Sequence, residues 1–377
     1  MNKLSAKSFT RTTFALDIIG KITEGPYAGL HELATIKHII SLHDVIAIEP
    51  APKLCIVSDS PDVPTDNSNT CYKACELIQQ RYGIADNVCI TIKKNIPLKG
   101  GLAGGSANAA TVLCLLADYY KLDIEMSDMV EMARIIGQDV PFYFNGPTAF
   151  DSEAGLVLSP IPNTLRFDII LVLPDFGVST KEAYQDIDYS TIAKNKAKTL
   201  AMKEAFANND KQGVVQNVHN DFEQSVFKKY PKLEHIKSKL LENGCLAAAM
   251  SGSGSTMMGI LGSYKDFDAI KAKFNYSCML VSSARARRYI PLSKRNASIE
   301  GALFSRRTDT FRWNSKQELC DFFNREYGLS RKIVDSEINE VMKTFKLRQG
   351  NAVSTQELWQ KVGMILEKKL KELEIEN

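Results

Sequence analysis

The 377-residue sequence contains no long apolar run. None of its apolar stretches reaches the roughly 18 residues that a membrane-spanning helix needs. The N-terminus is basic but lacks the apolar core of a secretion signal. An apolar content of 44% and a charged content of 24% are typical of an ordinary globular protein. The sequence therefore predicts a cytoplasmic protein with no membrane partner.

Cysteine and net charge are also scarce. Eight cysteines in a chain of this length form no dense disulfide framework, and Cys71 and Cys75 lack the second pair or the histidines that a zinc site requires. We expect buried or half-buried thiols. The net charge is only +3, although eight Lys or Arg accompany two acidic residues between Arg285 and Arg312. Most short basic runs are solvated linkers, so the pattern does not favour nucleic acid as a partner.

Glycine, by contrast, is concentrated between Ile96 and Ala110, where four glycines separate a β-branched segment from a helix-forming one. Glycines let a backbone approach a polyphosphate closely, and the N-terminus of the following helix attracts anions. Ser106 or Asn108 is expected to cap that helix. This pattern predicts a phosphate-binding loop, although a close-packed turn without a ligand would use the same residues.

The glycine-rich loop is neither a Walker A motif nor a dinucleotide fingerprint, because it lacks Gly-Lys-Ser/Thr and Gly-x-Gly-x-x-Gly. From Pro97 to Ala110 it has the pattern Pro-x-x-x-Gly-Leu-x-Gly-Gly-Ser-x-Asn-Ala-Ala, which resembles the ATP-binding motif of the GHMP kinases. Within that superfamily the ending is most similar to the 4-diphosphocytidyl-2-C-methyl-D-erythritol kinases. Ala103 and Ala107 stand where that family more often has Gly and Ser.

Residues 8–19 are rich in β-branched and aromatic side chains and end at Gly20, which predicts an opening strand. The equivalent strand of the kinase family carries Pro-Ala-Lys-x-Asn, and counting nine residues back from Gly20 places Arg11 at the lysine and Thr13 at the asparagine. Lys7 matches the signature better locally but requires a four-residue insertion inside a strand. We therefore assign the lysine position to Arg11.

His31 follows a turn-rich loop that resembles the Asp-Gly-Tyr-His-x-Leu segment of the diphosphocytidyl kinases. In that family the histidine and the aromatic residue before it hold the cytosine. Here Leu30 replaces the aromatic residue, and Tyr27 is close enough in the loop to substitute for it. The resemblance implies a substrate contact for His31, whereas a single histidine is otherwise an ordinary hydrogen-bonding residue.

Two further segments resemble the acceptor site of the family. Asp139, in Gly-Gln-Asp-Val-Pro, corresponds to the family's catalytic base, and the proline places its carboxylate in a turn after a helix at 128–137. Ser179 and Thr180 begin another helix, with Glu182 completing a capping box. The resemblance implies that Thr180 lines the acceptor site and that Tyr184 stacks on cytosine, with core packing as the alternative for Tyr184.

A second Gly/Ser loop, from Met250 to Thr256, lies between two predicted strands and resembles the family's Met-Ser-Gly-Ser-Gly-Ser/Thr motif. The resemblance spans roughly residues 8–288. It implies ATP and Mg²⁺ as cofactors, with the Ser106 hydroxyl near the metal, and Thr13 among the acceptor contacts. The implied nucleotide-binding residues are Pro97, Lys99, Gly100, Gly101, Leu102, Ala103, Gly104, Gly105, Ser106, Ala107, Asn108, Ser251, Gly252, Ser253 and Gly254.

The implied fold is α+β with two lobes, an ATP-binding lobe similar to domain 2 of ribosomal protein S5 at residues 1–155 and a ferredoxin-like lobe at 156–290. A basic linker at 291–313 and a small all-α unit at 314–377 follow. In this last unit, amphipathic segments at 315–327, 330–346 and 354–374 each open with a serine cap. The kinase family does not normally carry this unit, whose role is open and which offers a surface for a protein partner.

The resemblance implies an ATP-dependent kinase for a small-molecule substrate, with Asp139 as the base and Arg11 beside the γ-phosphate. Arginine keeps a lysine's charge but does not release its proton, so catalysis requires an electrostatic role at this position. Three functions remain open. The first is phosphorylation of a hydroxyl of 4-diphosphocytidyl-2-C-methyl-D-erythritol in non-mevalonate isoprenoid synthesis. The others are transfer to a different polyol or isoprenoid phosphate, and a non-catalytic nucleotide-binding role, against which the retention of Asp139 argues.

Overall fold

The computed structural model describes residues 3–23, 28–29, 31–152, 157–185, 187–189, 192, 195–284, 310–312 and 352–354. The chain divides into two compact units, Met1–Pro291 and Leu292–Asn377. Tyr27, Leu30, most of the basic linker and nearly all of the helical extension lie outside the described residues. The predictions made for them therefore stay predictions.

Two long antiparallel strands, β1 (Leu4–Lys21) and β2 (His31–Ala51), form the centre of a seven-stranded sheet. Their register places Thr13 opposite Lys37, and the predicted opening strand is confirmed. The other strands of this sheet are β3 (Cys55–Ser58), β4 (Asn87–Lys93), β5 (Thr148–Ser152), β6 (Val157–Pro160) and β8 (His219–Asn220). The strand order is β3-β4-β2-β1-β8, with β5 paired to β2 and β6 paired to β5. Because β6 belongs to this sheet, the sheet extends past residue 155.

A four-stranded antiparallel sheet makes up the rest of the first unit's β-structure in the described residues. Its strands are β7 (Asp168–Leu173), β9 (Ala247–Met250), β10 (Met257–Ile260) and β11 (Ser277–Ser282). They lie in the order β11-β7-β10-β9. The second Gly/Ser loop connects β9 to β10, as the sequence predicts. The fold is thus the mixed α and β, two-sheet architecture expected from the resemblance.

Helices cover both sheets. They are α1 (Thr70–Tyr82), α2 (Gly104–Tyr119), α3 (Met126–Ile136), α4 (Thr180–Gln185), α5 (Lys196–Ala207), α6 (Lys211–Gln216), α7 (Glu223–Lys229), α8 (Pro231–Glu242) and α9 (Phe267–Lys271), with 3-10 turns at Val140–Phe144 and Tyr264–Asp266. One core lies between α1, α2, α3 and the first sheet. In a second core, the rings of Phe14, Phe167 and Phe206 meet edge to face, which joins β1 to the second sheet.

Helix caps test the predicted starts of three helices. Helix α2 begins at Gly104 behind a left-handed Ala103, so neither Ser106 nor Asn108 caps it, and that prediction is wrong. Helix α3 begins at Met126 with Glu125 as its N-cap, two residues before the predicted start at residue 128. The capping box of α4 is confirmed, because the Ser179 hydroxyl accepts from the Glu182 amide and the Glu182 carboxylate accepts from Ser179.

Two cysteines depart from the expectation of free thiols. Cys55 and Cys89 lie directly opposite each other on β3 and β4 and form a disulfide. Cys71 and Cys75 are buried thiols on α1, and burial raises the pKa of each to about 12. In the part of the chain that the structure describes, no helix combines the length and the apolarity required to cross a membrane.

The second unit contributes one described feature. Thr310–Arg312 (β12) pairs antiparallel with Ala352–Ser354 (β13). The sequence interpretation placed residues 310–312 in a linker and did not anticipate this strand pair. The three helical segments themselves lie outside the described residues.

Candidate active site

A cleft of about 820 Å³ in the first unit is lined by both glycine-rich loops and by most of the predicted site residues. Its size lies in the upper part of the range for small-molecule sites. The predicted residues that line it are Arg11, Thr13, His31, Pro97, Lys99, Gly100, Gly101, Leu102, Ala103, Gly104, Gly105, Ser106, Asp139, Thr180, Tyr184, Gly252, Ser253 and Gly254. Lys7 is exposed on β1 and does not line the cleft, so Arg11 is the basic residue of that strand that reaches it.

Three predicted nucleotide-binding residues lie behind the cleft wall. Ala107 and Asn108 are buried in α2, and Ser251 is buried at the end of β9. The cause is the early start of α2, which places residues 107 and 108 one turn inside the helix and against the sheet. The Asn108 amide donates to Asp44 at 2.8 Å and cannot also face a nucleotide in the cleft.

The first glycine-rich loop is wound by left-handed residues. Lys99, Gly101 and Ala103 all have a positive φ, between 55° and 70°. They bring the loop to the N-terminus of the 16-residue helix α2, where the first amide N–H groups have no partner within the helix. Gly105 and Ser106 lie in that first turn and face the cleft. The turn is therefore suited to bind an anion.

The two loops contact each other through Gly101. A Cβ built on Gly101 would lie 2.1 Å from the Ser251 carbonyl oxygen, so the position tolerates no side chain. The Ser251 hydroxyl donates to the Gly101 carbonyl at 3.1 Å. Asn220 holds the second loop from below by donating to the carbonyls of Met250 and Gly252, at 2.7 and 2.8 Å. Gly104 also lines the cleft, and a Cβ built on it would lie 2.9 Å from the Ile96 side chain.

Four charged side chains meet in the wall of the cleft. Arg11 Nη2 lies 2.6 Å from Oδ2 of Asp139, and Lys37 Nζ lies 2.7 Å from Oδ1 of the same carboxylate. Lys37 also pairs with Oδ2 of Asp151, on β5. Arg11 and Lys37 are 6% exposed, so both cations are held away from bulk water. The cluster combines two positive and two negative charges, and three of its four side chains are buried while Asp139 is partly exposed to the cleft.

Burial and pairing shift the pKa values in this cluster in opposite directions. Burial by itself would raise the pKa of Asp139, but the charges of Arg11 and Lys37 outweigh it and hold the pKa far below its usual range. Burial would lower the pKa of Lys37, but Asp139 and Asp151 raise it above its ordinary value. For Asp151, burial dominates over the Lys37 charge and raises the pKa. The pairing therefore favours the charged forms of Arg11, Lys37 and Asp139, whereas burial favours the neutral form of Asp151.

Lys37 and Asp151 are site residues that the sequence interpretation missed. A signal was present, since Thr35, Lys37 and His38 interrupt the apolar run of β2, and a lysine inside a central strand requires a buried partner. Arg11 is also held by the Gly101 carbonyl at 2.7 Å and by the Thr13 hydroxyl at 3.2 Å. Thr13 thus faces the cleft as predicted, but its hydroxyl already accepts from Arg11.

Aromatic side chains line another part of the cleft wall. The His31 ring stacks directly on Tyr184, with ring centres 3.9 Å apart, and its Nε2 lies 2.7 Å from the Tyr189 hydroxyl. Burial, with a smaller effect from Lys21, lowers the pKa of His31, so the ring is neutral at physiological pH. The Thr180 hydroxyl lies 3.1 Å from that of Ser253 and so links the start of α4 to the second loop. Tyr184 therefore stacks on His31 in the cleft and also packs edge to face on Phe222 of the core, and its contact with cytosine stays a prediction.

Comparison with known proteins gives matches along the same part of the chain. The family model "GHMP kinases N terminal domain" matches residues 69–146, and "GHMP kinases C terminal" matches residues 202–278. A 4-diphosphocytidyl-2-C-methyl-D-erythritol kinase of Clostridium botulinum (strain Loch Maree / Type A3) is 36% identical over 275 residues, which cover 73% of this chain and 95% of that protein. The protein of the same name from Syntrophomonas wolfei is 37% identical over 270 residues, covering 71% and 92%.

Solved structures match the fold over the same region. A crystal structure of 4-(cytidine 5'-diphospho)-2C-methyl-D-erythritol kinase has a TM-score of 0.60 at 23% identity and covers 74% of this chain and all of that one. A homoserine kinase from Cytophaga hutchinsonii has a TM-score of 0.61 at 16% identity, covering 76% and 96%. At these identities the structural likeness establishes the fold alone.

Proposed function

The chain belongs to the GHMP kinases, in the family of the 4-diphosphocytidyl-2-C-methyl-D-erythritol kinases, and we propose that it transfers the γ-phosphoryl group of ATP to a hydroxyl of 4-diphosphocytidyl-2-C-methyl-D-erythritol. One observation carries this proposal. A single cleft holds two phosphate-suited loops, a carboxylate paired with two cations and an aromatic stack. That arrangement provides a place for ATP, an orienting group for an alcohol and a surface for a heterocyclic base.

Positioning and charge neutralisation are the main demands of phosphoryl transfer. The N-terminal turn of α2 and the Gly252–Gly254 backbone hold the phosphates of ATP. Arg11, fixed by the Gly101 carbonyl, by Thr13 and by Asp139, compensates the charge that develops on the γ-phosphate. Asp139 accepts a hydrogen bond from the attacking hydroxyl and so orients its oxygen toward phosphorus. Because Arg11 stays protonated, its contribution is electrostatic.

Magnesium belongs to this proposal as the ion carried by ATP. Among the described residues, no group of three or more His, Cys, Asp or Glu side chains could hold a metal ion. This fits Mg²⁺, which keeps several waters and binds mainly through substrate phosphates. The Ser106 hydroxyl, in the first turn of α2, is the side chain that would contact it. The bound ion would neutralise charge on the phosphate oxygens.

A second acceptor class is favoured by one observation. The rings of His31 and Tyr184 touch each other, so a cytosine must either separate them or stack on an outer face. A polyol phosphate without a base would not need that rearrangement. Both acceptors would use the two loops, Arg11 and Asp139, and only the cytidylated acceptor would also contact His31 and Tyr184.

The test is an ATP-consumption assay across a panel of cytidylated and non-cytidylated polyol phosphates. We expect the highest kcat/KM with 4-diphosphocytidyl-2-C-methyl-D-erythritol, and a loss for Tyr184→Ala that appears mainly in the KM of cytidylated acceptors. Faster turnover of a non-cytidylated polyol phosphate would replace this acceptor with the second class. ATP binding without consumption on any member of the panel would support the non-catalytic interpretation.

A further inference from the structure

The Asp139 carboxylate can orient a hydroxyl group, but it binds a proton only weakly. Each of its oxygens contacts a cation, Arg11 on Oδ2 and Lys37 on Oδ1. These cations hold the pKa of the carboxyl far below its ordinary value. A carboxyl with such a low pKa stays protonated for only a small fraction of the time at neutral pH. A hydroxyl that attacks phosphorus nevertheless has to lose its proton, so a second acceptor in the cluster is required.

Asp151 has the properties that Asp139 lacks. Its Oδ2 pairs with Lys37, while its Oδ1 is buried and has no hydrogen-bond partner among the described residues. Burial raises its pKa, so the neutral carboxyl is easier to form here than at Asp139. Asp151 lines the same cleft.

Lys37 connects the two carboxylates. Its Nζ contacts Oδ1 of Asp139 and Oδ2 of Asp151, and no other side chain on the described part of the chain contacts both carboxylates through hydrogen bonds. An ammonium group can give up one proton and take another at the same nitrogen. The guanidinium of Arg11 does not do so, because it stays protonated in proteins.

We propose that Lys37 and Asp151 form a proton exit, in which the hydroxyl's proton passes from Asp139 through Lys37 and comes to rest on Asp151. The inference rests on the proposed kinase function. As the oxygen–phosphorus bond forms, the O–H bond breaks and its proton binds Asp139. Lys37 then gives one N–H proton to Asp151 and takes the proton from Asp139. Asp139 and Lys37 regain their charges, and one proton is left on Asp151, which later loses it to solvent.

Two variants separate this exit from plain charge pairing. Lys37→Arg keeps a cation between the carboxylates but removes the group that can release a proton. Asp151→Asn keeps the shape of the side chain but removes the final acceptor. Lys237→Arg is the matched control, since Lys237 pairs with the buried carboxylate of Glu223 away from the cleft. Single-turnover rates are measured, so that product release does not mask the transfer step.

We expect Lys37→Arg and Asp151→Asn each to lower the single-turnover rate about 10²-fold, within the range for lost general base catalysis. The affinity for ATP should change less than about twofold, and Lys237→Arg should match the wild type. Wild-type protein should lose rate on the acid side, since Asp151 must be ionised to receive a proton, and Asp151→Asn should lack this acid limb. The charged and titratable groups facing Asp151 and its partners are Arg11 on β1, Lys37 on β2, Asp139 after α3, Tyr143 in the 3-10 turn and Tyr184 on α4.

A purely structural role would lower the rate without removing the acid limb, so the pH profile decides. Lys37→Arg with the wild-type rate, or Asp151→Asn with an unchanged acid limb, would overturn the proton exit while leaving the kinase function intact. If Lys37→Arg does not fold, the profile of Asp151→Asn gives the answer alone, with Asp151→Glu expected to restore both rate and limb. Wild-type protein that phosphorylates no acceptor would overturn the proposed function, and the proton exit with it.

Discussion

Gly101 holds the two phosphate-suited loops together, and Gly101→Ala should separate them. The backbone there has a φ of +70°, a conformation that costs an alanine about 1 kcal/mol. The added methyl group would lie 2.1 Å from the Ser251 carbonyl oxygen and 2.9 Å from the backbone of Gly254, so the loops must move apart. That movement weakens the bonds that Ser251 and Arg11 donate to the Gly101 carbonyl. One neutral and one charged hydrogen bond contribute about 1 and about 2 kcal/mol.

The expected total is therefore about 4 kcal/mol, divided between folding stability and ATP affinity. Gly83→Ala is a matched control, since Gly83 has a φ of +63° at the end of α1 but no atom within 4 Å of an added Cβ. It should cost only the backbone strain, about 1 kcal/mol. Urea unfolding measures the stability of each variant, and calorimetric titration measures its ATP affinity. Equal costs for the two variants, with ATP affinity unchanged in both, would refute the loop contact as the basis of the nucleotide site.

Three other predictions concern the base, the core and the extension. Asp139→Asn should lower kcat about 10²-fold or more while ATP binding changes little, as measured by steady-state kinetics and titration. Buried His38, whose pKa is lowered to about 3 by burial with a smaller effect from Arg166, stays neutral in the folded protein while the unfolded chain gains a proton below about pH 6.5. Stability should therefore fall by about 2 kcal/mol between pH 6.5 and pH 4.5, and His38→Gln should flatten that fall in unfolding curves. A chain ended at residue 295 should stay folded and bind ATP, because both sheets and the cleft lie within residues 3–284; an insoluble or non-binding product would contradict this.

Features formed by residues that lie close together in the chain could be predicted from the sequence. The alternating strands, the glycine-rich loop, the turn at Asp139 and the capping box at Ser179 each depend on residues close together in the chain. The start of α2 was misjudged because Ala103 adopts a left-handed conformation that alanine rarely takes, which moves the helix start to Gly104. For the same reason Asn108 lies inside α2 and donates to Asp44 instead of capping the helix.

Contacts between distant strands were not accessible from the sequence. The pairing of Lys37 with Asp139 and Asp151 could not be predicted, because both partners are about a hundred residues away along the chain. The register of β1 and β2 brings Lys37 beside Thr13, and β5 delivers Asp151 from the other side. The disulfide between Cys55 and Cys89 likewise depends on the pairing of β3 with β4. Strand register, which composition and spacing do not specify, decides both.

Phosphorus NMR of the reaction mixture would show directly whether the protein transfers phosphate from ATP to this acceptor. Purified protein, ATP, Mg²⁺ and 4-diphosphocytidyl-2-C-methyl-D-erythritol are combined, and the spectrum is followed with and without the acceptor. We expect one new phosphomonoester resonance on the acceptor for each ADP formed, and its absence with Asp139→Asn on the same timescale. ADP release at the same rate without the acceptor, or no new phosphomonoester at all, would contradict it.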